Sequence, residues 1–234
     1  MYILFMQILL ACAKIMTDKV VCDVPTLTEP LFQKESNDIA LFMSERSVDE
    51  LADMLNCKRN IAIENKLRFE RFFDKQQRLP SIFAYNGQAY KCLQSVTLSP
   101  SDLLYAQEHL WITSFLYGML RPLDRISLYR MEGNVEYKGD TMFNFWKPRL
   151  TDLLIDSVKA DDGILGNVKG NVVYRTNYAV IGKKAGFEIF DLQNVIGGFH
   201  YSSIIGRSTS DSLQLFILFH LAAVVLNNFT TLLE

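Results

Sequence analysis

The stretch 105–130, YAQEHLWITSFLYGMLRPLDRISLYR, decides how this chain is read. Its first half has a helical pattern, with Leu110, Trp111, Ser114, Phe115, Leu116 and Met119 at three- and four-residue spacing. The spacing predicts a buried helix with Gly118 late in its run. Pro122 breaks it, because proline donates no backbone hydrogen bond and biases Arg121 away from helical dihedrals. Asp124 is a candidate cap for whatever follows. Arg125 and Arg130 come next, with Tyr129 beside the second. A helix running into a turn that presents Arg121, Arg125 and Arg130 suits planar anionic oxygens, meaning phosphate or carboxylate. The plainer reading of the same residues is a helix, a turn and solvated arginines.

Working outward, residues 1–10, MYILFMQILL, are almost wholly apolar. No basic residue precedes Tyr2, so a buried first strand fits better than a signal peptide. Lys14 stands just past that strand, where it could hold an anion or be an ordinary surface lysine. Cys12 lies close enough to Lys14 for a cation to lower its thiol pKa. Residues 17–30 read as a loop, with Pro25 and Pro30 as breakers. A helix is expected over 31–43 with Phe32, Ile39, Phe42 and Met43 inward. Ser47 and Glu50 form a capping box for a helix to about Leu55. A further helix over 60–73 should bury Ile61, Leu67, Phe69, Phe72 and Phe73. Its cations, Arg59, Lys66, Arg68 and Arg71, interleave with Glu64, Glu70 and Asp74, as on a solvated face.

Asn86-Gly87 predicts a hairpin within 82–93, since both positions tolerate positive φ. Ser99-Pro100 opens the central helix. After Arg130 come a turn at 137–140 and an aromatic cluster of Phe143, Phe145 and Trp146 before Pro148. A helix over 149–158 then ends at Asp161-Asp162-Gly163. From Gly166 glycines punctuate short β-like runs, 172–174 and 187–190, and 215–226 is a nearly continuous apolar run. A buried helix explains that run better than a membrane span, given Gln214, His220, Asn227 and Asn228 nearby.

A chain of 234 residues can bury a substantial core. Apolar residues make up 49% and charged residues 21%, as in ordinary globular proteins. The net charge of −2 supplies no bulk attraction to nucleic acid or anionic membrane, so DNA binding would need a local basic patch. Four scattered cysteines and three histidines lack metal-ligand spacing, so neither a dedicated metal site nor a cofactor is expected. Phosphate-loop, dinucleotide, G-x-S-x-G and H-E-x-x-H motifs are absent. Glu132 and Asp124 remain candidate acid and base partners for Lys14.

The run LYGMLRPLDRISLYRMEG, 116–133, resembles the signature of the YaaA family of peroxide-stress proteins, an LYG-(apolar)-LRPLD run followed by YR-(apolar)-E. LACAKIM at 10–16 is similar to the family's S-x-AK segment. AYNGQAYKCL at 84–93 is similar to its aromatic-Gly-aromatic hairpin, centred on Gly87. TMFNFWKPRLTD at 141–152 is similar to its (Y/F)-x-(F/Y)-W segment. The resemblance covers about 6–166, with Met6 at the family's usual start and residues 1–5 as an upstream start artefact. Residues 167–234 lack the family's NLAS-x-E and K-x-x-RG-x-M segments, as a divergent C-terminus or a reading-frame change would produce.

The resemblance implies an α+β fold, a single domain with a mixed sheet, a central N-terminal strand and helices around it. Residues 1–166 should carry it, with 167–234 completing the same domain or packing irregularly. The resemblance further implies a cytoplasmic bacterial protein of the oxidative-stress response that limits iron-driven damage. Family members are expected to bind double-stranded DNA through a helix-hairpin-helix-like element and a basic cleft. Here 118–130 is the candidate element. The candidate DNA- or anion-binding residues are Lys14, Arg121, Arg125, Arg130 and Lys147. Gly87, Tyr117, Gly118, Pro122, Asp124, Tyr129, Glu132 and Trp146 are the candidate structural positions of the motifs. Two alternatives stand beside this reading. One is an enzyme taking a small anionic or nucleotide-like ligand, with Lys14, Arg121 and Arg130 lining one cleft. The other is a non-functional or membrane-associated variant with a replaced C-terminus, membrane being the less expected partner.

Overall fold

A computed structural model describes residues 7–19, 24–74, 78–161, 163–168 and 188–191. In it the apolar N-terminal run becomes the middle of a sheet. Strand β1 (Gln7–Ala11) is buried at every position. It pairs in parallel with β3 (Leu110–Ser114) on one side and β8 (Ile164–Val168) on the other. Strand β4 (Gly118–Leu120) lies antiparallel outside β3, and β9 (Glu188–Asp191) parallel outside β8. The order is β4-β3-β1-β8-β9. This is the expected α+β fold with a mixed sheet and a central first strand. A strand with parallel neighbours on both sides has both faces covered, so it reads as a continuous apolar run rather than an alternating one. The strand β9 also shows chain beyond residue 166 contributing to the sheet. Residues 172–174 and 215–226 lie outside the described residues.

Helices α1 (Gln33–Ser44), α2 (Val48–Met54) and α3 (Arg59–Glu70) follow β1. The predicted capping box opens α2: Glu50 N–H donates to Ser47 Oγ at 3.2 Å and Ser47 N–H to Glu50 Oε2 at 2.7 Å. Along α3 the inward stripe differs from expectation. Ala62, Asn65 and Phe69, continued by Phe72, are buried, while Leu67 and Phe73 are half exposed. The stripe takes steps of three and four from Ala62, and Leu67 falls off it.

The decisive stretch departs most from its reading. Helix α6 (Pro100–His109), opened by the predicted Ser99 cap, stops at His109. The helix expected to continue to Met119 is instead β3 and β4. A strand buried on both faces shows no period-two alternation, so its apolar residues imitate helical spacing. The hairpin expected around Asn86-Gly87 is also absent. Helix α4 (Ser81–Ala84) is followed by α5 (Gln88–Leu93), with Gly87 as the N-cap at φ −82°. Glycine is needed there for space rather than for positive φ: an added Cβ would lie 2.7 Å from Ala13 Cβ.

Short strands β2 (Leu79–Pro80) and β5 (Arg125–Ile126) pair separately. Strands β6 (Glu136–Tyr137) and β7 (Asp140–Thr141) flank the predicted turn, where Lys138 and Gly139 have φ of 53° and 82°. Helix α7 (Met142–Lys159) begins seven residues before the expected 149, with Thr141 as its cap and Pro148 inside it. Pro148 is exposed on the outer face and, having no N–H, leaves the carbonyl of Asn144 without its usual i+4 backbone donor.

Candidate functional site

The chain runs from β1 outward to β3 and β4, then returns past β1 to β8 and β9. Where the build direction of such a sheet reverses, a crevice opens at the carboxyl ends of the parallel strands. Cys12, Ala13 and Lys14 leave β1 at that edge, and Ser114 ends β3 there. Segment 84–90 closes over it. Thr17 N–H donates to Ala84 O at 2.9 Å and Asn86 N–H to Ile15 O at 2.8 Å. The Tyr90 hydroxyl donates to Ala11 O at 2.9 Å. The close fit of Gly87 on Ala13 belongs to the same contact.

The loop after β5 supplies the charges. Lys14 Nζ lies 2.7 Å from Glu132 Oε2, and Arg130 Nη2 lies 2.9 Å from Glu132 Oε1. Two cations from distant parts of the chain therefore meet on one carboxylate. Lys14 is 64% exposed, while Arg130 and Glu132 are only 19% and 18% exposed. Arg130 Nε is fully buried and makes no hydrogen bond. Cys12 is no thiolate: burial pushes its pKa up to about 12, outweighing the nearby Lys14. Burial also raises the Cys57 thiol, which lies in the field of Arg130 and Glu132.

Behind these charges runs a buried hydroxyl chain. Ser114 Oγ lies 2.6 Å from Tyr129 Oη, which lies 2.7 Å from Tyr85 Oη. Burial raises both phenols well above their ordinary range, so they stay neutral. Ser114 Oγ also accepts from Tyr117 N–H at 2.9 Å, fixing the β3–β4 turn. Tyr129 was legible in the signature. Ser114, Tyr85 and Tyr90 were not, since their convergence depends on strand and helix placement that spacing misread.

The other predicted residues lie elsewhere. Arg121 follows β4 back to the amino end of β1, where Nη1 reaches Leu110 O at 3.3 Å and Gln7 Oε1 at 3.4 Å. Its guanidinium covers Trp111 at 3.3 Å from the ring centre, and burial lowers its pKa to about 10. Arg121 therefore does not line a cleft with Lys14 and Arg130. Asp124 is buried in the adjoining turn. Its carboxylate accepts from Arg121 N–H at 2.7 Å and from Thr28 Oγ1 at 2.6 Å. It cannot serve as an acid or base for Lys14. Pro122 sits inside that turn, which Asp124 N–H closes onto Arg121 O at 3.1 Å.

Arg125 pairs with Glu29, which Arg78 also engages at 3.4 Å. Lys147 is exposed on α7. The helix–turn–arginine element expected over 118–130 is thus a strand, a turn and a second strand, with its three arginines in three places. Gly118 and Trp146 do touch: Gly118 has φ +73°, and an added Cβ would lie 2.7 Å from Trp146 Cζ3. Trp146 Nε1 donates to Phe115 O at 2.8 Å, and the Tyr117 hydroxyl accepts from Ser127 N–H at 2.9 Å. Among the described residues no cluster of three or more His, Cys, Asp or Glu converges for a metal. No described helix is long and apolar enough to cross a membrane.

The family model described as "Peroxide stress protein YaaA" matches residues 6–177. A UPF0246 protein of Bacteroides thetaiotaomicron is 46% identical over 167 residues, covering 70% of this chain and 65% of the relative. One of Phocaeicola vulgatus is 45% identical over 167 residues, covering 70% and 66%. One of Porphyromonas gingivalis is 44% identical over 165 residues, covering 68% and 64%. The matches thus span just under two thirds of each relative's length. The chain belongs to the YaaA peroxide-stress family.

Proposed function

We propose that this YaaA-family chain works in the bacterial cytoplasm in the response to peroxide, limiting iron-driven oxidative damage. We further propose that it binds phosphate-bearing ligands, double-stranded DNA foremost, at the carboxyl edge of its sheet. The observation that carries this reading is the meeting of Lys14 and Arg130 on Glu132 at the reversal point of the sheet. On a body of net charge −2, a converging cation pair is the local feature that phosphate binding needs. The reading gives Lys14 and Arg130 the phosphate contacts and leaves Arg121 and Asp124 as parts of the fold. A helix-hairpin-helix contact at 118–130 is no part of it, because that segment holds no helix.

The test is duplex binding across a salt series. Lys14→Ala and Arg130→Ala should each weaken binding on every sequence and flatten the plot of log affinity against log salt by about one unit. Unchanged slopes in both variants would refute the reading. A small anionic or nucleotide-like ligand is the second reading, favoured by the low exposure of Arg130 and Glu132. Saturable small-ligand binding with little salt dependence, and without duplex binding, would select it.

A further inference from the structure

Glu132 holds its two cations in an incomplete way. A guanidinium offers its best grip along one edge, where Nε and one terminal nitrogen point parallel hydrogens at two oxygens. Glu132 uses only Nη2 of Arg130, through Oε1, because its other oxygen is drawn 2.7 Å from Lys14 Nζ. Arg130 Nε is left buried with no hydrogen bond. A carboxylate has two oxygens, and this site has three positions to fill. We infer that Glu132 is an internal stand-in for the ligand, and that the site takes a phosphate monoester, which displaces Glu132 and grips both edge nitrogens of Arg130 while Lys14 holds its third oxygen.

This inference rests on the reading of the edge as a phosphate site and narrows it. An internal phosphodiester of DNA has two non-bridging oxygens, so it fills the site no better than Glu132 does. A terminal phosphate has three. Its charge of about −1.5 to −2 near neutral pH matches Lys14 plus Arg130 once Glu132 withdraws. With Glu132 in place the three side chains sum to a single positive charge. A free phosphomonoester and the 5′-phosphate end of a DNA strand share this chemistry.

The full chain and its Glu132→Gln variant are titrated by calorimetry with inorganic phosphate and glycerol phosphate. Both are also titrated with one short duplex carrying either 5′-phosphate or 5′-hydroxyl ends. Thermal melting of each variant reports whether it is folded, and Glu132→Ala serves as the second competitor-free variant. The expected result is at least tenfold tighter phosphate binding on loss of the Glu132 charge. A preference for 5′-phosphate over 5′-hydroxyl ends should go with it, and Arg130→Lys should abolish that preference. Glycerol phosphate displacing the 5′-phosphorylated duplex completely would identify the terminal phosphate as all the site reads; displacement only of end binding would add a separate DNA contact.

Phosphate binding that is unchanged or weaker in both Glu132 variants, yet lost in Arg130→Ala, would overturn the inference and leave the phosphate site standing. Equal binding of the two duplexes to Glu132→Gln would also overturn it, in favour of diester recognition. Absence of phosphate and duplex binding in the wild type and every variant would remove the phosphate site itself.

Discussion

Gly118→Ala should be among the most damaging single-methyl changes in this protein, and the structure says why in two separable parts. Gly118 has φ +73°, and an L-residue in that region costs about 1–2 kcal/mol. The added Cβ would also lie 2.7 and 2.8 Å from two atoms of the Trp146 ring and 3.1 Å from Phe32. Trp146 is fully buried and tied to Phe115 O, so it cannot simply swing away. Forcing an extra methyl into such packing costs about 1–3 kcal/mol more. The total is about 2–5 kcal/mol, a large share of the stability of an ordinary domain. Gly139 is the built-in control, with φ +82° and nothing within 4 Å of an added Cβ. Gly139→Ala should cost only the dihedral part. Urea unfolding followed by circular dichroism measures both. In a Trp146→Leu background the Gly118→Ala penalty should shrink toward that of Gly139→Ala, a coupling of about 1–2 kcal/mol. Equal costs for the two glycines in the wild-type background, or no coupling to Trp146, would refute the steric argument.

Burial pushes the Asp124 carboxyl from 3.8 up to about 6. The native state then binds the proton more tightly than the unfolded chain, so stability falls as pH rises between about 4 and 6, by up to about 3 kcal/mol. Asp124→Asn should remove that slope while destabilising the turn at all pH values, as urea midpoints across the range would show; a parallel slope in the variant would contradict it. Tyr129→Phe deletes the middle of the buried Ser114–Tyr129–Tyr85 hydroxyl chain and should cost about 1–3 kcal/mol, because two buried groups lose a partner. A loss below 0.5 kcal/mol (about the scatter of surface substitutions) would mean the chain relaxes without it. Arg125→Ala should leave the salt slope of duplex binding unchanged, since that side chain, with Arg78, pairs with Glu29 and shares no ion pair with Lys14, Arg130 or Glu132; a flattened slope would put Arg125 back in the interface.

Local chemistry was readable wherever it was local. Ser47 with Glu50, Ser99 before Pro100, and Lys138-Gly139 act within a few residues, and each does in the fold what its sequence neighbourhood implies. The central strand was readable because it is apolar at every position after Gln7 and follows no helical period. What could not be read was set by distant neighbours. Asn86-Gly87 has the composition of a hairpin turn, yet Gly87 is selected by Ala13, more than seventy residues earlier. Leu110 to Met119 carry helical spacing, yet β1 offers residues 110–113 a parallel edge that no local propensity encodes, and 118–120 fold back on β3.

That single misreading also decides where the charges go. A helix through 119 followed by a turn would gather Arg121, Arg125 and Arg130 on one projection. The hairpin does the opposite. Gly118 pairs with Ser114 and Leu120 with Ile112, so the chain runs back down β3 and delivers Arg121 to the amino end of β1. The loop after β5 then climbs to the carboxyl end, where Arg130 meets Lys14. Five residues of strand at about 3.3 Å each separate the two ends, roughly 13 Å between the first and last Cα of β1. Arg121 and Arg130 are nine positions apart in the sequence and lie at opposite edges of the sheet. One is held by a tryptophan face and a backbone carbonyl, which steady the fold. The other shares a carboxylate with Lys14 at the carboxyl ends of the strands, and that meeting of two cations is what the proposed phosphate site rests on.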